Sequence, residues 1–271
     1  MRQLANSARR RRSKKIRRVV SRGLVNTKSL SFDGINDRAG WGSGVIESLI
    51  GAGDWSWSYW VKSSDFSQPG SSQYSTLIYA LNFYGAGVST FIIGAIAENS
   101  HPNPGKLTAI STRGSGSGST YFSWVSDASV IGSLTDDDWN HIVITCDTGA
   151  SSRAIKAYIN GSEVAGTDNL TSQAATDFSS INMGDVALGT QTFNAGGDSF
   201  DALELDEISL YSSVLSSSDV TAIYNSGVPA DETERSGLIG YWRLEDNGND
   251  SSSNSNSLTI SGATFTTDVP S

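Results

Sequence analysis

The sequence predicts an all-β chain: a two-sheet antiparallel jelly-roll sandwich with one short late helix and a basic N-terminal arm. Three observations point there. Through the body, apolar and polar residues alternate with period two, as where Trp55, Trp57, Tyr59 and Val61 interleave with Ser56, Ser58, Trp60 and Lys62. Polarity comes mainly from Ser, Thr, Asn and Gly, and only 17% of the 271 residues are charged, a mixture suited to short strands and turns rather than helices. Charge is also divided: residues 1–22 hold ten Arg or Lys and no Asp or Glu, leaving nine basic residues against 28 acidic ones, a balance of −19.

The arm comes first. Residues 1–28 read as a basic leader and 29–271 as one sandwich closed by its C-terminal strands. Arg9, Arg10, Arg11, Arg12, Lys14, Lys15, Arg17 and Arg18 repel one another in an isolated segment, so order is expected only against an anionic partner. Val19-Val20 and Leu24-Val25 are too short for the apolar region of a signal peptide. No apolar run approaches the roughly eighteen residues of a membrane span. The acidic body disfavours nucleic acid, whereas the arm attracts anions.

Strands follow from Ser29. After Trp55–Lys62, candidates are Thr76–Tyr84, Thr90–Ala97, Lys106–Thr112, Tyr121–Val125, Trp139–Cys146 and Ala154–Ile159. Ala187–Gly189, Leu203–Tyr211, Leu238–Leu244 and Leu258–Phe265 complete the set. Asn160-Gly161 is a hairpin turn, because a type I′ turn needs positive φ at both central residues. Gly-rich stretches at 114–118 and 194–198 read as loops. One helix is expected near Val220, Ile223 and Tyr224, capped by Ser216 or Ser217, with Asp219 in its first turn and Gly227 ending it. The lone Cys146 excludes an internal disulfide and reads as a half-buried, inert thiol.

Several segments together resemble a known family. Ser29-Leu30-Ser31-Phe32-Asp33-Gly34-Ile35-Asn36-Asp37 resembles the opening strand of concanavalin A-like lectin/glucanase (laminin G-like) domains, and Ser58-Tyr59-Trp60-Val61-Lys62 the second strand. Asp138-Trp139-Asn140-His141-Ile142-Val143 is similar to the central strand, and Ala157-Tyr158-Ile159-Asn160-Gly161 to the hairpin after it. Leu205-Asp206-Glu207-Ile208-Ser209-Leu210-Tyr211 with Leu215-Ser216 and Ile223-Tyr224-Asn225 resembles the closing strand and helix. Gly240-Tyr241-Trp242-Arg243-Leu244 with Asp250-Ser251-Ser252 resembles a segment that often begins such domains, yet stands last here. A sandwich with neighbouring termini tolerates that permutation, which places the last strands beside Leu30–Phe32. This arrangement resembles virion-associated proteins of tailed phages.

Each candidate for chemistry has a plainer reading. Glu204, Asp206 and Glu207 form an acidic cluster, and glycoside hydrolysis needs two carboxyl groups facing one bond. Strict alternation puts Glu204 and Asp206 on one face and Glu207 on the other, so the set is incomplete. The resemblance makes Asp33, Asn36, Asp37 and Asp206 candidates for calcium, a hard cation taking oxygen ligands; the plainer reading is turn residues bonded to their own backbone. His141 reads as a packed histidine. Trp55, Trp57 and Trp139 are assigned to the core, and Trp60, on a polar face, is the expected exposed aromatic for glycan contact.

These readings favour a non-catalytic virion structural protein, a capsid decoration or a tail- or fibre-associated component in an oligomeric assembly. The arm would anchor it to capsid or tail proteins, with nucleic-acid contact the second use, and the lectin-like sandwich would meet surface glycans. The alternatives are a free carbohydrate-binding lectin and a glycoside hydrolase.

Overall fold

A computed structural model describes residues 24–66, 74–75, 78–84, 87–97, 105–113, 120–148, 154–170, 186–191 and 199–271. The cationic side chains of Arg9 through Arg18, His101 and the two Gly-rich stretches lie outside the described residues.

The chain opens with β1 (Ser29–Asp33), β2 (Arg38–Trp41), the short helix α1 (Val45–Ile50) and β3 (Trp55–Lys62). Next come β4 (Tyr74–Ser75), β5 (Ile78–Tyr84), β6 (Gly87–Ala97), β7 (Leu107–Arg113) and β8 (Thr120–Ser126). β9 (Asn140–Asp147), β10 (Ala154–Ile159), β11 (Ser162–Val164) and β12 (Gly166–Leu170) follow. Then come β13 (Val186–Leu188), β14 (Thr190–Gln191), β15 (Ser199–Phe200) and β16 (Ala202–Tyr211). Helix α2 (Ser217–Tyr224), β17 (Leu238–Trp242), β18 (Thr259–Ser261) and β19 (Thr264–Thr266) end the chain.

Two sheets result. The first runs β11-β10-β9-β3-β16-β1-β19, with β17 also paired to β16. The second runs β12-β8-β7-β6-β5-β13-β2-β18, with β4 paired to β6. Every pairing in them is antiparallel. Chain order explains the edges. β11 and β12 are separated by Ala165 alone, and β18 and β19 by Gly262-Ala263, so at each side the chain steps from one sheet to the other. The stretch read from sequence as one strand, Leu258–Phe265, is thus two strands in different sheets. Gly262 makes the step at φ 87, where a Cβ would lie 2.1 Å from Asp37 Oδ1.

Period-two burial fills the space between the sheets. Trp55, Trp57, Tyr59 and Val61 of β3 meet Ile142, Ile144 and Cys146 of β9 in the main core, with Leu30, Phe32, Leu205 and Leu210 beside them. Trp41 of β2, Trp57 of β3 and Trp242 of β17 form an aromatic triangle whose ring centroids are 4.6–6.2 Å apart, within the range of favourable edge and offset contacts. The opposite face of the first sheet is also partly covered. Val220 and Ile223 of α2 pack there with Leu215 on Val143, Tyr158 and Tyr211.

Helix α2 starts as its sequence dictates. Ser216 Oγ accepts from Asp219 N at 3.2 Å while Asp219 Oδ2 accepts from Ser216 N at 3.0 Å, a capping box. It ends at Asn225, whose φ of 46 is left-handed, rather than at Gly227. Gly161 of the hairpin lies beneath it: a Cβ there would come 2.9 Å from the Tyr224 ring.

Two stability outcomes follow. Ser216→Ala should cost about 1 kcal/mol and Trp242→Ala about 3–5 kcal/mol, both read from urea unfolding of the full chain.

Candidate functional site

The strand carrying the acidic cluster is irregular at the cluster. Asp206 pairs with Trp60 of β3, but the next described pair is Ser209 with Ser58, so β16 carries one extra residue. That bulge sits at Glu207, whose φ of 44 is left-handed. The alternation is therefore reset. Ile208 and Leu210 enter the core, and Glu207, which strict alternation would put on the face of the buried Leu203 and Leu205, turns instead to Tyr241 and Arg243. The Tyr241 hydroxyl donates to Glu207 Oε2, and Arg243 Nε lies 3.4 Å from Oε1.

A buried acid–tyrosine network grows from this point. Asp206 Oδ2 accepts from Asn26 Nδ2 at 2.8 Å and Oδ1 from Glu207 N at 2.9 Å. Glu232 accepts from the Tyr211 hydroxyl and, at 2.9 Å, from Ser209 Oγ. Asp206, Glu207 and Glu232 are buried. Loss of hydration raises all three carboxyl groups: Asp206 well above its usual range, Glu207 to about 8 and Glu232 to about 7. Hydrogen bonds from the tyrosines and the charge of Arg243 oppose the rise without cancelling it. Groups held this way are closed to a polysaccharide; of Glu204, Asp206 and Glu207, only Glu204 reaches the surface.

The network also binds the root of the arm. Arg243 Nη2 donates to Val25 O at 2.6 Å, and Thr27 donates to Glu245 through N at 2.7 Å and Oγ1 at 2.5 Å. Lys28 Nζ lies 3.6 Å from Asp246 Oδ1.

The aromatics are redistributed relative to expectation. Trp60 is not at the surface: it is 2% exposed, its ring beside His141 at 4.9 Å and Tyr224 at 5.8 Å. Helix α2 covers the polar face that Trp60 shares, and sequence alternation cannot see that cover. His141 Nε2 lies 2.8 Å from Ser58 Oγ, and burial lowers its pKa to about 3, so the ring is neutral at ordinary pH. Trp139, assigned to the core, is instead half-buried, its Nε1 donating to Asp268 Oδ1 at 3.0 Å.

The calcium candidates do not assemble. Asp33 Oδ1 accepts from Ile35 N at 2.8 Å, and Asp37 Oδ2 from Asp33 N at 2.9 Å, so these carboxylates shape their own turn. Asp33 pairs with Ala202, whereas Leu30 pairs with Leu205. Asp206 therefore lies beside the other end of β1, roughly 13 Å along the strand from Asp33 at about 3.3 Å per residue. Among the described residues no three His, Cys, Asp or Glu side chains gather to hold an ion.

A groove of about 440 Å³ opens where the chain steps from β11 to β12. Asn160, Ser162 and Glu163 of the hairpin form one wall, and Asp127 and Ser129 after β8 another, with Ile159 at its base. The hairpin is the predicted Asn160-Gly161 turn, at φ 49 and 77. Its wall is braced: Asn160 Oδ1 accepts from His141 N at 2.8 Å, Lys156 Nζ pairs with Glu163 Oε2 at 3.1 Å, and Thr167 Oγ1 donates to Asp127 Oδ1 at 2.8 Å. Hydroxyl, amide and carboxylate groups around an apolar base can accept and donate to a polyhydroxylated ligand. Nothing in the one-dimensional pattern brings residues 127–133 and 159–165 together.

Residues 42–221 match the family described as the concanavalin A-like lectin/glucanases superfamily. No curated protein matches the chain. Among solved structures, the fold resembles a native heptameric SAP-like pentraxin from Limulus polyphemus, with 13% identity and a TM-score of 0.51, over 89% of this chain and 94% of that one. It also resembles a proposed carbohydrate-binding protein from Bacteroides ovatus, with 17% identity and a TM-score of 0.54, over 91% of this chain and 62% of that one. At these identities the likeness is one of fold.

The buried groups give stability a definite pH profile. Glu207 rises from 4.5 to about 8, so the fold prefers its protonated form; that contribution is complete below about pH 4.5 and is lost as pH climbs through 8. His141 falls from 6.5 to about 3, so its contribution is present above 6.5 and lost as pH drops. Glu232, raised to about 7, and Asp206 add to the Glu207 loss, and together they outweigh the one imidazole, so thermal stability should be greatest near pH 4.5 and decline as pH climbs through 8; Glu207→Gln should make that decline shallower in calorimetry.

Proposed function

Because the chain belongs to the concanavalin A-like lectin/glucanases superfamily, we propose that it is a non-catalytic carbohydrate-binding protein whose glycan seat is the groove at the β11–β12 step. The observation that carries this reading is the groove's lining. Its volume suits a small ligand. Asp127 and Glu163 present carboxylate acceptors for sugar hydroxyls, and Asn160 and the serines both donate and accept. The absence of catalysis is supported by the burial of Asp206, Glu207 and Glu232. A glycosidase needs its pair of carboxyl groups on either side of an accessible bond.

The wider role we propose is that of a virion structural component, a capsid decoration or tail-associated protein displaying this sandwich in an oligomeric assembly. Its support is the division of charge between a leader with ten basic residues and a body of −19, together with the resemblance of the Gly240–Leu244 arrangement to phage proteins. The leader's guanidinium groups suit carboxylates on a protein shell, and phosphates are the second fit. The fixed root at Val25–Lys28 supports an arm that pulls on the body through a firm attachment.

Two measurements test the reading. On a glycan array the full chain should bind, and Asp127→Asn with Glu163→Gln should weaken that binding by about tenfold, roughly 1.4 kcal/mol, at an unchanged melting temperature. An array with no bound glycan sinks the lectin reading. Deleting residues 1–22 should abolish particle incorporation while leaving glycan binding intact; incorporation that survives the deletion rules out the anchor.

A further inference from the structure

The face of the first sheet that α2 covers at one end is open at the other. Register sets a row of side chains across four strands there. Ser31 of β1 stands opposite Glu204 of β16, and Glu204 opposite Lys62 of β3. Val61 pairs with Asn140, so Lys62 is followed in the row by Trp139, just ahead of β9. All four are partly exposed. Of the seven tryptophans, six are at most 2% exposed and Trp139 alone keeps surface to offer.

The C-terminal tail lies on this row. Asp268 Oδ2 accepts from Lys62 Nζ at 2.5 Å, and Oδ1 from Trp139 Nε1 at 3.0 Å. The Asp268 carbonyl accepts from Ser29 Oγ at 2.6 Å. Two donors, one on β3 and one just ahead of β9, thus converge on the two oxygens of one carboxylate, supplied by a residue 206 positions away from Lys62 in the chain. Beside them Glu204 Oε2 is buried and has no hydrogen-bond partner among the described residues.

We propose that Lys62 and Trp139 form a binding site for the carboxylate of an acidic sugar, a uronic acid residue of a polysaccharide, and that Asp268 occupies the site as a tethered stand-in. A uronate matches each part. Its carboxylate takes the place of Asp268 on the ammonium and the indole N–H. Its ring lies against the partly exposed indole. With the tail displaced, Glu204 Oε2 accepts a sugar hydroxyl, which supplies the partner it lacks. Charge selects against denser anions: one ammonium flanked by Glu204, on an acidic body, balances a single carboxylate but not a phosphate chain.

The tail sets the threshold. A tethered carboxylate competes at an effective concentration on the order of millimolar, so the apparent affinity for a free uronate is lowered by the fraction of sites the tail leaves open. Removing the tethered group removes that competition.

The test uses the full chain, tri-galacturonate and the corresponding neutral galactose trisaccharide in isothermal titration calorimetry. Asp268→Ala should tighten binding of the uronate by about tenfold, with Asp268→Asn, which keeps the shape of the tail residue, giving a gain in the same direction. Adding Lys62→Gln to Asp268→Ala should return the affinity to or below that of the parent chain. The neutral sugar should show no such gain. Equal gains for the neutral sugar, no gain from either Asp268 variant, or a gain that survives Lys62→Gln would each overturn the proposal. So would concentration-dependent dimerisation of the parent that Asp268→Ala abolishes, since the site would then serve the tail of a second copy. Failure here is distinguishable from failure of the groove, because these variants touch no groove residue and are read with a different ligand.

Discussion

The contact that the rest of the molecule depends on is the packing of Trp41, Trp57 and Trp242 between the sheets. Each ring comes from a different strand: one from the second sheet, one from the first, and one from the C-terminal β17. Burying surfaces of this size is the dominant favourable term in such a fold. It also decides topology, because Trp242 can reach the core only if β17 lies along β16, with Tyr241 and Arg243 then turned to the outer face. Those two residues hold Glu207 and the root of the arm. A packing choice made for hydrophobic reasons therefore reaches the point where the leader leaves the body.

The bulge at Glu207 is the second consequence. With strict alternation its carboxyl group would enter the aromatic core, where an unpaired ionised group costs several kcal/mol. One extra residue turns it to Tyr241 and Arg243 instead, at the cost of a left-handed backbone. Burial, offset only in part by these partners, leaves Glu207 and Glu232 titrating near neutrality rather than in the usual carboxylate range. The acids that look catalytic in one dimension are thereby committed to holding the C-terminal layer.

Outer surfaces divide along the same lines. Helix α2 seals half of the first sheet over Trp60, His141 and Tyr158, leaving a polar row at the other end. The step from β11 to β12 leaves a groove lined by hydroxyl, amide and carboxylate groups at one rim. Both openings are polar, and each combines strand or hairpin residues with the connection between β8 and β9, which supplies Asp127 and Ser129 to one and Trp139 to the other. The basic leader joins the body elsewhere, through Val25–Lys28, so the proposed glycan seats and the proposed anchor use separate parts of the chain.

Much of this was readable from the chain itself. The period-two stripe of Trp55, Trp57, Tyr59 and Val61 determines a sandwich strand, Asn160-Gly161 determines a hairpin, and Ser216 with Asp219 determines where α2 begins, because each depends on neighbours within a few residues. Tertiary structure alone decided the rest. Whether Trp60 or Trp139 meets water depends on which part of the sheet a distant helix covers. The face taken by Glu207 depends on a register shift against β3, and the pairing of Lys62 with Asp268 on a strand step at Gly262. Side-chain direction follows local periodicity only while the backbone stays regular, and accessibility is set by whatever distant segment packs on top.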